Sequence, residues 1–233
     1  MKPLCIIAAR GGSKGVIRKN TRLLGNKPLI THAIESSLHS KIFSHVIVST
    51  EDEEIALIAK KSGAEVPFLR PKKLATDSAS MLDVLIHGIH KLYSLGYQFD
   101  TVVNRDCTVP FIKTSDIFGS IQLLNSSRCD AVYAAYVQHL NPYFNMVEFN
   151  SNGFLKMCKK RGIRPKRRQD APVVYQLNGF FTFNVQKLLK YRKLMMPKVL
   201  PYEISPETGL MIDTEIEFKI AELLFKNKIL KIN

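Results

Sequence analysis

Apolar residues follow two alternating patterns along this chain of 233 residues. Short uninterrupted apolar runs predict buried strands, and they occur at 4–8, 45–49, 65–69, 99–103, 131–137 and 180–183. Between them, apolar side chains recur at helical spacing, which predicts helices over 28–38, 81–92, 115–124, 185–189 and 215–225. A further helix is predicted to start at the capping-box spacing Thr50–Glu53 and to end at Gly63.

The alternation of strands and helices determines the expected fold class. It predicts an α/β fold with a mostly parallel, Rossmann-like nucleotide-binding sheet and helices on both faces. Ligands bind to such sheets beyond the carboxyl ends of the strands. The glycine-rich loop after the first strand lies at that end, so we expect the main ligand site there.

The pattern changes after residue 138. Residues 144–149 and 154–157, on either side of a turn at 150–153, predict a β-hairpin, and a basic segment over 159–168 follows. No internal repeat or low-complexity linker is present in the chain. We therefore predict a single domain built from 1–138 and 176–233, with 139–175 inserted as a small hairpin arm.

The loop after the first strand contains the clearest candidate chemistry. Adjacent glycines let a backbone approach a ligand and direct its N–H groups inward, and nearby cations suit a polyphosphate. The spacing matches neither the P-loop nor the dinucleotide-binding fingerprint. A basic, flexible strand-to-helix turn is the alternative interpretation. The loop runs Ala8-Ala9-Arg10-Gly11-Gly12-Ser13-Lys14-Gly15-Val16-Ile17-Arg18-Lys19-Asn20.

Two further loops contain candidate site residues that also have structural interpretations. The loop 70–80 begins at the candidate site residue Arg70. In the structural interpretation, this loop is a solvated connection with a helix N-cap at Ser78 or Ser80. Asp106 follows a predicted strand, where a carboxylate serves either as a ligand group or as a turn cap.

Two later stretches are open to the same two interpretations. Asp213 precedes the last predicted helix, and either it or Thr214 can cap that helix. In the structural interpretation, residues 164–170 form a solvated basic turn and Asn178-Gly179 forms a hairpin turn. In the functional interpretation, both stretches contain ligand contacts.

The order of residues 9–20 resembles the opening motif A-R-G-G-S-K-G-x-x-x-K-N of the CMP-sugar synthetases. This family contains the acylneuraminate cytidylyltransferases and relatives that activate 3-deoxy-2-ulosonic acids. Other stretches are similar to family motifs, namely R-P-x-x-L-A-x-D-x-A-S at 70–80, I-D-T-E at 212–215, R-R-Q-D-x-P at 167–172 and N-G at 178–179. The chain departs from the family pattern at Val109 and Phe111, and at Met211, where relatives often have another acidic residue. It also lacks the lysine that sialic-acid-specific relatives often have after the P-Y element, so the resemblance leaves the sugar open.

The resemblance implies a cytidylyltransferase that transfers CMP from CTP to the C2 hydroxyl of a sialic-acid-like 3-deoxy-2-ulosonic acid. It implies catalytic roles for Lys19, Arg10 and Asp213, and a Mg²⁺ ion on Asp213, with Asp106 as a second ligand or as a contact to the base. The arm resembles a segment that exchanges between subunits, which implies a homodimer. Expected nucleotide contacts are Ala8, Ala9, Arg10, Gly11, Gly12, Ser13, Lys19, Asn20, Arg70, Ser80 and Asp106. Expected sugar contacts are Arg167, Gln176, Asn178 and Gly179.

The net charge of the chain bears on which class of partner it binds. A net charge of +14 suits nucleic acid, an anionic membrane or an anionic substrate. The dense basic cluster at 156–168 lacks interleaved aromatics for base stacking, so we expect no nucleic-acid partner. Two alternatives stay open: a nucleotidyltransferase that uses another nucleotide and another sugar or sugar phosphate, and a basic nucleic-acid-binding protein.

Cysteine spacing and hydropathy exclude other classes. The four cysteines (Cys5, Cys107, Cys129 and Cys158) lie far apart without a C-x-x-C pair, which argues against a zinc site or a disulfide framework. No apolar run reaches the roughly 18 residues of a membrane span, and the N-terminal apolar run is too short for a signal peptide. We therefore expect a cytoplasmic protein without a membrane partner.

Overall fold

The predicted apolar runs assemble into one central sheet in the computed structural model, which describes residues 1–160, 162 and 165–232. In chain order the strands are β1 (Leu4–Ala8), β2 (Leu23–Leu24), β3 (Lys27–Pro28), β4 (Val46–Ser49), β5 (Thr101–Arg105), β6 (Ala131–Val137), β7 (Val147–Phe149), β8 (Leu155–Met157), β9 (Tyr175–Asn184) and β10 (Val199–Glu203). The helices are α1 (Leu29–His39), α2 (Glu53–Lys61), α3 (Met81–Ser94), α4 (Thr114–Ser126), α5 (Val185–Tyr191) and α6 (Glu215–Lys226).

The main sheet has the strand order β10-β6-β9-β5-β1-β4. Strand β9 runs antiparallel to its neighbours β5 and β6, and the other adjacent pairs are parallel. The prediction of a mostly parallel sheet is therefore confirmed. Because β4, β1 and β5 are parallel neighbours, their carboxyl ends lie at one edge of the sheet.

Helices cover both faces of this sheet, as predicted. On one face, Ile34 of α1, Ile55 of α2 and Ile121 of α4 pack in a cluster with strand residues such as Val48. On the other face, α3 and α5 pack in a second cluster with residues of β1, β5 and β9. The apolar side of each of these five helices is thus buried against strands that are apolar on both faces.

Helix α6 packs outside this sandwich, beside the glycine loop. Its residues Phe218 and Ala221 are buried with Val16 from the loop and with Leu24 and Phe111. Packing of α6 therefore places the segment before it, 211–214, against the glycine loop. None of the described helices combines the length and the apolar character needed to cross a bilayer.

The predicted hairpin forms a small sheet of its own, in which β7 pairs with β8. Its turn lies at 150–153, as expected, and Gly153 there has a left-handed φ of 78°. The strands are shorter than the predicted runs 144–149 and 154–157. The predicted basic segment 159–168 lies partly outside the described residues, which exclude 161, 163 and 164.

The strand predicted at 65–69 is wrong. Only Glu65 pairs with the sheet, through an isolated parallel bridge to Ile47. Pro67 has no N–H with which to continue the ladder, and the Arg70 N–H donates to the Thr50 carbonyl, which turns the chain toward the carboxyl edge.

The capping box predicted at Thr50–Glu53 is also wrong. Asp52 is the N-cap of α2, and its Oδ1 accepts a hydrogen bond of 2.9 Å from the Ile55 N–H. The Thr50 hydroxyl instead accepts from the Asp52 N–H. A carboxylate closer to the helix start therefore replaces the expected pair.

Strand β9 begins several residues before the predicted start at 180, because Asn178-Gly179 lies inside it rather than in a turn. Gly179 has a φ of 86°, and the β6–β9 register shifts between Tyr133 and Ala135. Glycine supplies the left-handed conformation that such an irregularity requires. Strand β10 was not predicted, since its run contains Pro201, a residue tolerated on edge strands.

Candidate active site

A cavity of about 550 Å³ lies at the carboxyl edge of the sheet, between the glycine loop, the loop 70–80 and residues 211–213. This volume is within the range of small-molecule sites. Leu74, Met81 and Val84 provide an apolar wall. The predicted site residues that line it are Ala8, Arg10, Ser13, Lys19, Asn20, Arg70, Asp106 and Asp213.

Close backbone packing explains two of the glycines in the loop. A Cβ atom on Gly15 would lie 1.9 Å from the Asp213 carbonyl oxygen, and one on Gly11 would lie 2.3 Å from Asp52 Oδ2. A Cβ on Gly12 would meet no atom within 4 Å. A side chain at position 11 or 15 would therefore clash with neighbouring atoms, which explains the glycines there. Close packing does not explain Gly12.

Glu51 organises the start of the loop, and the sequence analysis did not identify it. Its Oε1 accepts a hydrogen bond of 2.8 Å from the Gly11 N–H, and its Oε2 pairs with Arg70 Nη2 at 2.7 Å. Arg70 also donates to the Ala9 carbonyl at 3.3 Å. The Gly11 N–H and one arm of Arg70, both expected to contact nucleotide, thus bind a carboxylate of the protein. The position of Glu51, two residues after the end of strand β4, is the signal that could have identified it.

Asp52 and Arg18 hold the other end of the loop. Arg18 has a left-handed φ of 53°, and its guanidinium pairs with Asp52 at 2.6 Å and with Glu54. Burial alone would raise the pKa of Asp52, but the hydrogen bonds from Arg18 and from backbone N–H groups outweigh it and lower that pKa. These ion pairs fix the backbone immediately before Lys19.

Lys19 joins the glycine loop to the segment before α6. Its Nζ donates to the Ile212 carbonyl at 2.6 Å and to Asp213 Oδ1 at 2.8 Å. Thr214 forms a capping box with Glu217 at the start of α6, so Thr214 and not Asp213 caps that helix. The Asp213 side chain, 53% exposed, is therefore available on the cavity wall.

Asp106 has the turn-capping geometry that the sequence allowed. Its Oδ1 accepts hydrogen bonds of 2.8 Å from both the N–H and the hydroxyl of Thr108. Within the part of the chain that the structure describes, Oδ2 accepts no hydrogen bond, and the residue lines the cavity. A turn cap and a ligand group are thus compatible in one carboxylate.

Asn20 is a buried brace in the loop. Its Nδ2 donates to the Arg10 carbonyl at 2.9 Å, and its Oδ1 accepts from Cys107 Sγ at 3.2 Å. Burial raises the pKa of the Cys107 thiol to about 12, so this thiol stays protonated as a donor. Asn20 therefore links the glycine loop to the turn at Asp106.

Ser80 is the N-cap of α3, since its hydroxyl accepts from the Asp83 N–H at 3.1 Å. Its neighbours Ala79 and Met81 line the cavity, but Ser80 is not among the lining residues. The N-cap alternative at this position is confirmed.

The expected sugar contacts lie outside this cavity lining. Arg167 is 74% exposed and pairs with Asp170 at 2.9 Å, and this hydrogen bond raises the pKa of Arg167. The Gln176 amide oxygen accepts from Gln138 at 2.5 Å. Asn178 and Gly179 are closer to the site, because Asn178 Nδ2 donates to the Gly209 carbonyl at 2.5 Å and the Gly179 carbonyl accepts from the Asp106 N–H.

Carboxylates are the only described groups that fit a metal here, and they fit a hard cation. No cluster of three or more His, Cys, Asp or Glu ligands occurs among the described residues. Asp106 and Asp213 nevertheless both line the cavity. Mg²⁺ is typically held by one or two carboxylates together with substrate phosphates and water, so the donor set fits that ion.

Two known proteins align with almost the whole of this chain. A CMP-N,N'-diacetyllegionaminic acid synthase of Campylobacter jejuni is 33% identical, over 97% of this chain and 95% of that protein. A pseudaminic acid cytidylyltransferase of the same species is 32% identical, over 97% of each chain.

A solved CMP:2-keto-3-deoxy-manno-octonic acid synthetase complexed with CTP has the same fold, with a TM-score of 0.75 at 18% identity. The match covers 98% of this chain and 100% of that chain. The cytidylyltransferase family model matches residues 4–230. From its fold, its cation-rich cavity and these matches, the chain belongs to the cytidylyltransferase family.

Proposed function

We propose that the protein transfers CMP from CTP to the C2 hydroxyl of a 3-deoxy-2-ulosonic acid of the sialic-acid type. The observation that carries this proposal is the Lys19–Asp213 contact in a cavity that also presents Arg10 and Lys14. It places cations for a triphosphate beside a carboxylate suited to a metal. Relatives named for legionaminic and pseudaminic acid support the sugar class.

The reaction is an in-line displacement at the α-phosphorus. The C2 hydroxyl oxygen forms a bond to phosphorus, the bond to the bridging oxygen breaks, and pyrophosphate leaves with that electron pair. The hydroxyl proton is released. Such chemistry depends mainly on positioning and on electrostatic stabilisation of developing charge.

Residues of the glycine loop supply that stabilisation. Lys19, with a side chain only 12% exposed, would neutralise charge at the α-phosphate. Arg10, Ser13 and those loop N–H groups that donate to no described residue would bind the other phosphates. The Gly11 N–H is excluded from this role, because Glu51 already accepts its hydrogen bond.

Asp213 and Asp106 would hold Mg²⁺. An ion held there would supply positive charge to the phosphates and would lower the pKa of the attacking hydroxyl. Because Lys19 donates to Asp213, Lys19 would transfer part of this hydrogen bonding to phosphate once the substrate binds.

The sugar acid would contact Arg167, Gln176, Asn178 and Gly179, and Arg167 would bind its carboxylate in a two-pronged contact. Because Arg167 lies on the arm and outside the cavity lining, we also propose a homodimer in which each arm serves the partner's site. Large apolar residues exposed on the hairpin support an interface there (Val147, Phe149, Phe154 and Leu155). A cytoplasmic location stays a prediction.

The test is pyrophosphate release with CTP and Mg²⁺ against legionaminic, pseudaminic, sialic and Kdo-type acids. Turnover with one acid would establish both the reaction and the acceptor, and EDTA should abolish it. Parallel assays with ATP, GTP and UTP separate this function from other nucleotidyl transfers. Turnover only with another nucleotide, or no CTP binding, would contradict the proposal.

A further inference from the structure

Two cations of the glycine loop are bridged by a carboxylate of the protein itself. Asp77, in the loop 70–80, pairs through Oδ1 with Arg10 Nη1 at 2.9 Å and through Oδ2 with Lys14 Nζ at 2.5 Å. All three residues line the cavity. Each carboxylate oxygen thus contacts one cation, which is the arrangement that a bridging anionic ligand would adopt.

The exposure of this bridge makes it exchangeable. The side chains of Lys14 and Asp77 are 82% and 51% exposed, and that of Arg10 is 35% exposed. Ion pairs this accessible to water contribute little to stability. A polyphosphate offers several charged oxygens to the same guanidinium and ammonium groups. It can therefore displace Asp77 without disturbing the core.

Arg70 also lines this cavity, and its ion pair with Glu51 differs from the Asp77 bridge in burial. The Glu51 and Arg70 side chains are only 14% and 4% exposed, and Glu51 also accepts the Gly11 N–H. A carboxylate held by a buried guanidinium and by backbone is a fixed part of the loop. Among the described residues, Asp77 forms ion pairs with Arg10 and Lys14 alone, and neither of these cations is buried.

We propose that Asp77 is a resident counter-anion of the polyphosphate site. It occupies Arg10 and Lys14 in the free protein, is displaced by the phosphates of the incoming nucleotide, and returns to both cations as pyrophosphate leaves. The proposal rests on the proposed function, because it requires that a nucleoside triphosphate enters this cavity. Asp77 therefore weakens the binding of both polyphosphates and favours release of the product.

The experiment measures binding of CTP and of inorganic pyrophosphate by calorimetry, without an acceptor sugar. Asp77→Asn removes the charge and keeps the shape, and it should bind both ligands more tightly, by a few-fold to about tenfold. Asp77→Glu keeps the charge and should bind close to wild type. In turnover assays, the inhibition constant for pyrophosphate should fall in Asp77→Asn by the same factor.

Glu222→Gln is the matched control. Glu222 is exposed on α6 outside this cavity lining, and its substitution changes the net charge by the same amount. It should leave both affinities unchanged. An equal gain in Glu222→Gln would attribute the effect to overall charge and would overturn the proposal.

Two further outcomes would overturn it. Weaker binding in Asp77→Asn would show that Asp77 positions the cations for substrate, and unchanged binding would show that it does not compete. The proposed function fails separately, if the wild-type protein binds pyrophosphate but turns over CTP with none of the acids. In that case, the pyrophosphate affinity of Asp77→Asn compared with that of the wild type would still decide the role of Asp77.

Discussion

At the scale of single residues, the Lys19–Asp213 contact connects two segments that are distant in sequence. Lys19 donates directly to Asp213, a carboxylate expected to hold metal. We predict that Lys19→Ala and Asp213→Ala each lower the rate of pyrophosphate release by on the order of 10²-fold or more, since one preorganised charge contact contributes that much. Lys219→Ala, on exposed α6, should retain full activity. Near-normal turnover in both site variants would contradict the assignment.

The glycines of the loop allow a matched steric test. Gly15→Ala places a Cβ 1.9 Å from the Asp213 carbonyl oxygen, whereas Gly12→Ala meets nothing within 4 Å. We therefore expect Gly15→Ala to destabilise the protein by about 1–3 kcal/mol and to lower activity, because the Asp213 segment must move. Gly12→Ala should keep wild-type stability. Thermal unfolding of the two variants checks this, and equal melting temperatures would argue against close packing at Gly15.

At the scale of elements, Asp52 connects helix α2 to the glycine loop. It caps α2 and pairs with Arg18, so Asp52→Ala should lower the free energy of unfolding by about 1–2 kcal/mol and should also raise the KM for CTP. Glu53→Ala, one residue later in the same helix, removes a charge without removing the cap. A similar loss in Glu53→Ala would contradict the capping role.

The same residue makes part of the stability depend on pH. The pKa of Asp52 is lower in the folded protein than in the unfolded chain. Its contribution is therefore complete above the unfolded value, about 3.9, and is lost as the pH falls through the folded value. The difference in melting temperature between wild type and Asp52→Asn should shrink below about pH 4. A difference that stays constant to lower pH would contradict this linkage.

At the scale of the whole molecule, the core contains an unpaired charge. Arg105 is fully buried at the end of β5, and none of its guanidinium nitrogens has a hydrogen-bond partner among the described residues. Burial lowers its pKa. Since an unpaired buried cation is costly, Arg105→Met should raise the free energy of unfolding by roughly 1–4 kcal/mol. Urea denaturation measures this, with exposed Arg128→Met as the control. A less stable Arg105→Met protein would contradict it.

The arm determines the expected assembly. Phe149 and Phe154 are 73% and 69% exposed on the hairpin, which we attribute to the proposed dimer interface. The double substitution Phe149→Ser and Phe154→Ser should convert a dimer to a monomer in light scattering and should reduce turnover. Ile216→Ser, at an exposed position on α6, should do neither. A monomeric wild-type protein would contradict the homodimer.

Local patterns predicted secondary structure most reliably where a single pattern of apolar residues, strand-like or helical, ran through a whole segment. The apolar runs at β1 and β6 and the helical spacing of α3 and α6 predicted these elements to within a few residues. The errors arose where a single residue changed the outcome. Pro67 ended a strand that hydropathy extended, Asp52 replaced Thr50 as the cap, and Gly179 allowed β9 to continue through a predicted turn.

The amino-acid sequence alone determined the fold class, the glycine loop and the family resemblance, because periodicity and local motifs are properties of neighbouring residues. Only the tertiary structure decided which of these groups are available to a ligand. Glu51 binds the Gly11 N–H, Asp77 bridges Arg10 and Lys14, and Asn178 binds the segment before Asp213. Each of these contacts joins residues that are distant in the chain. They form because the parallel strands β4, β1 and β5 bring their carboxyl ends to one edge, and because antiparallel β9 carries Asn178 to the same edge beside β5. No sequence spacing encodes that meeting.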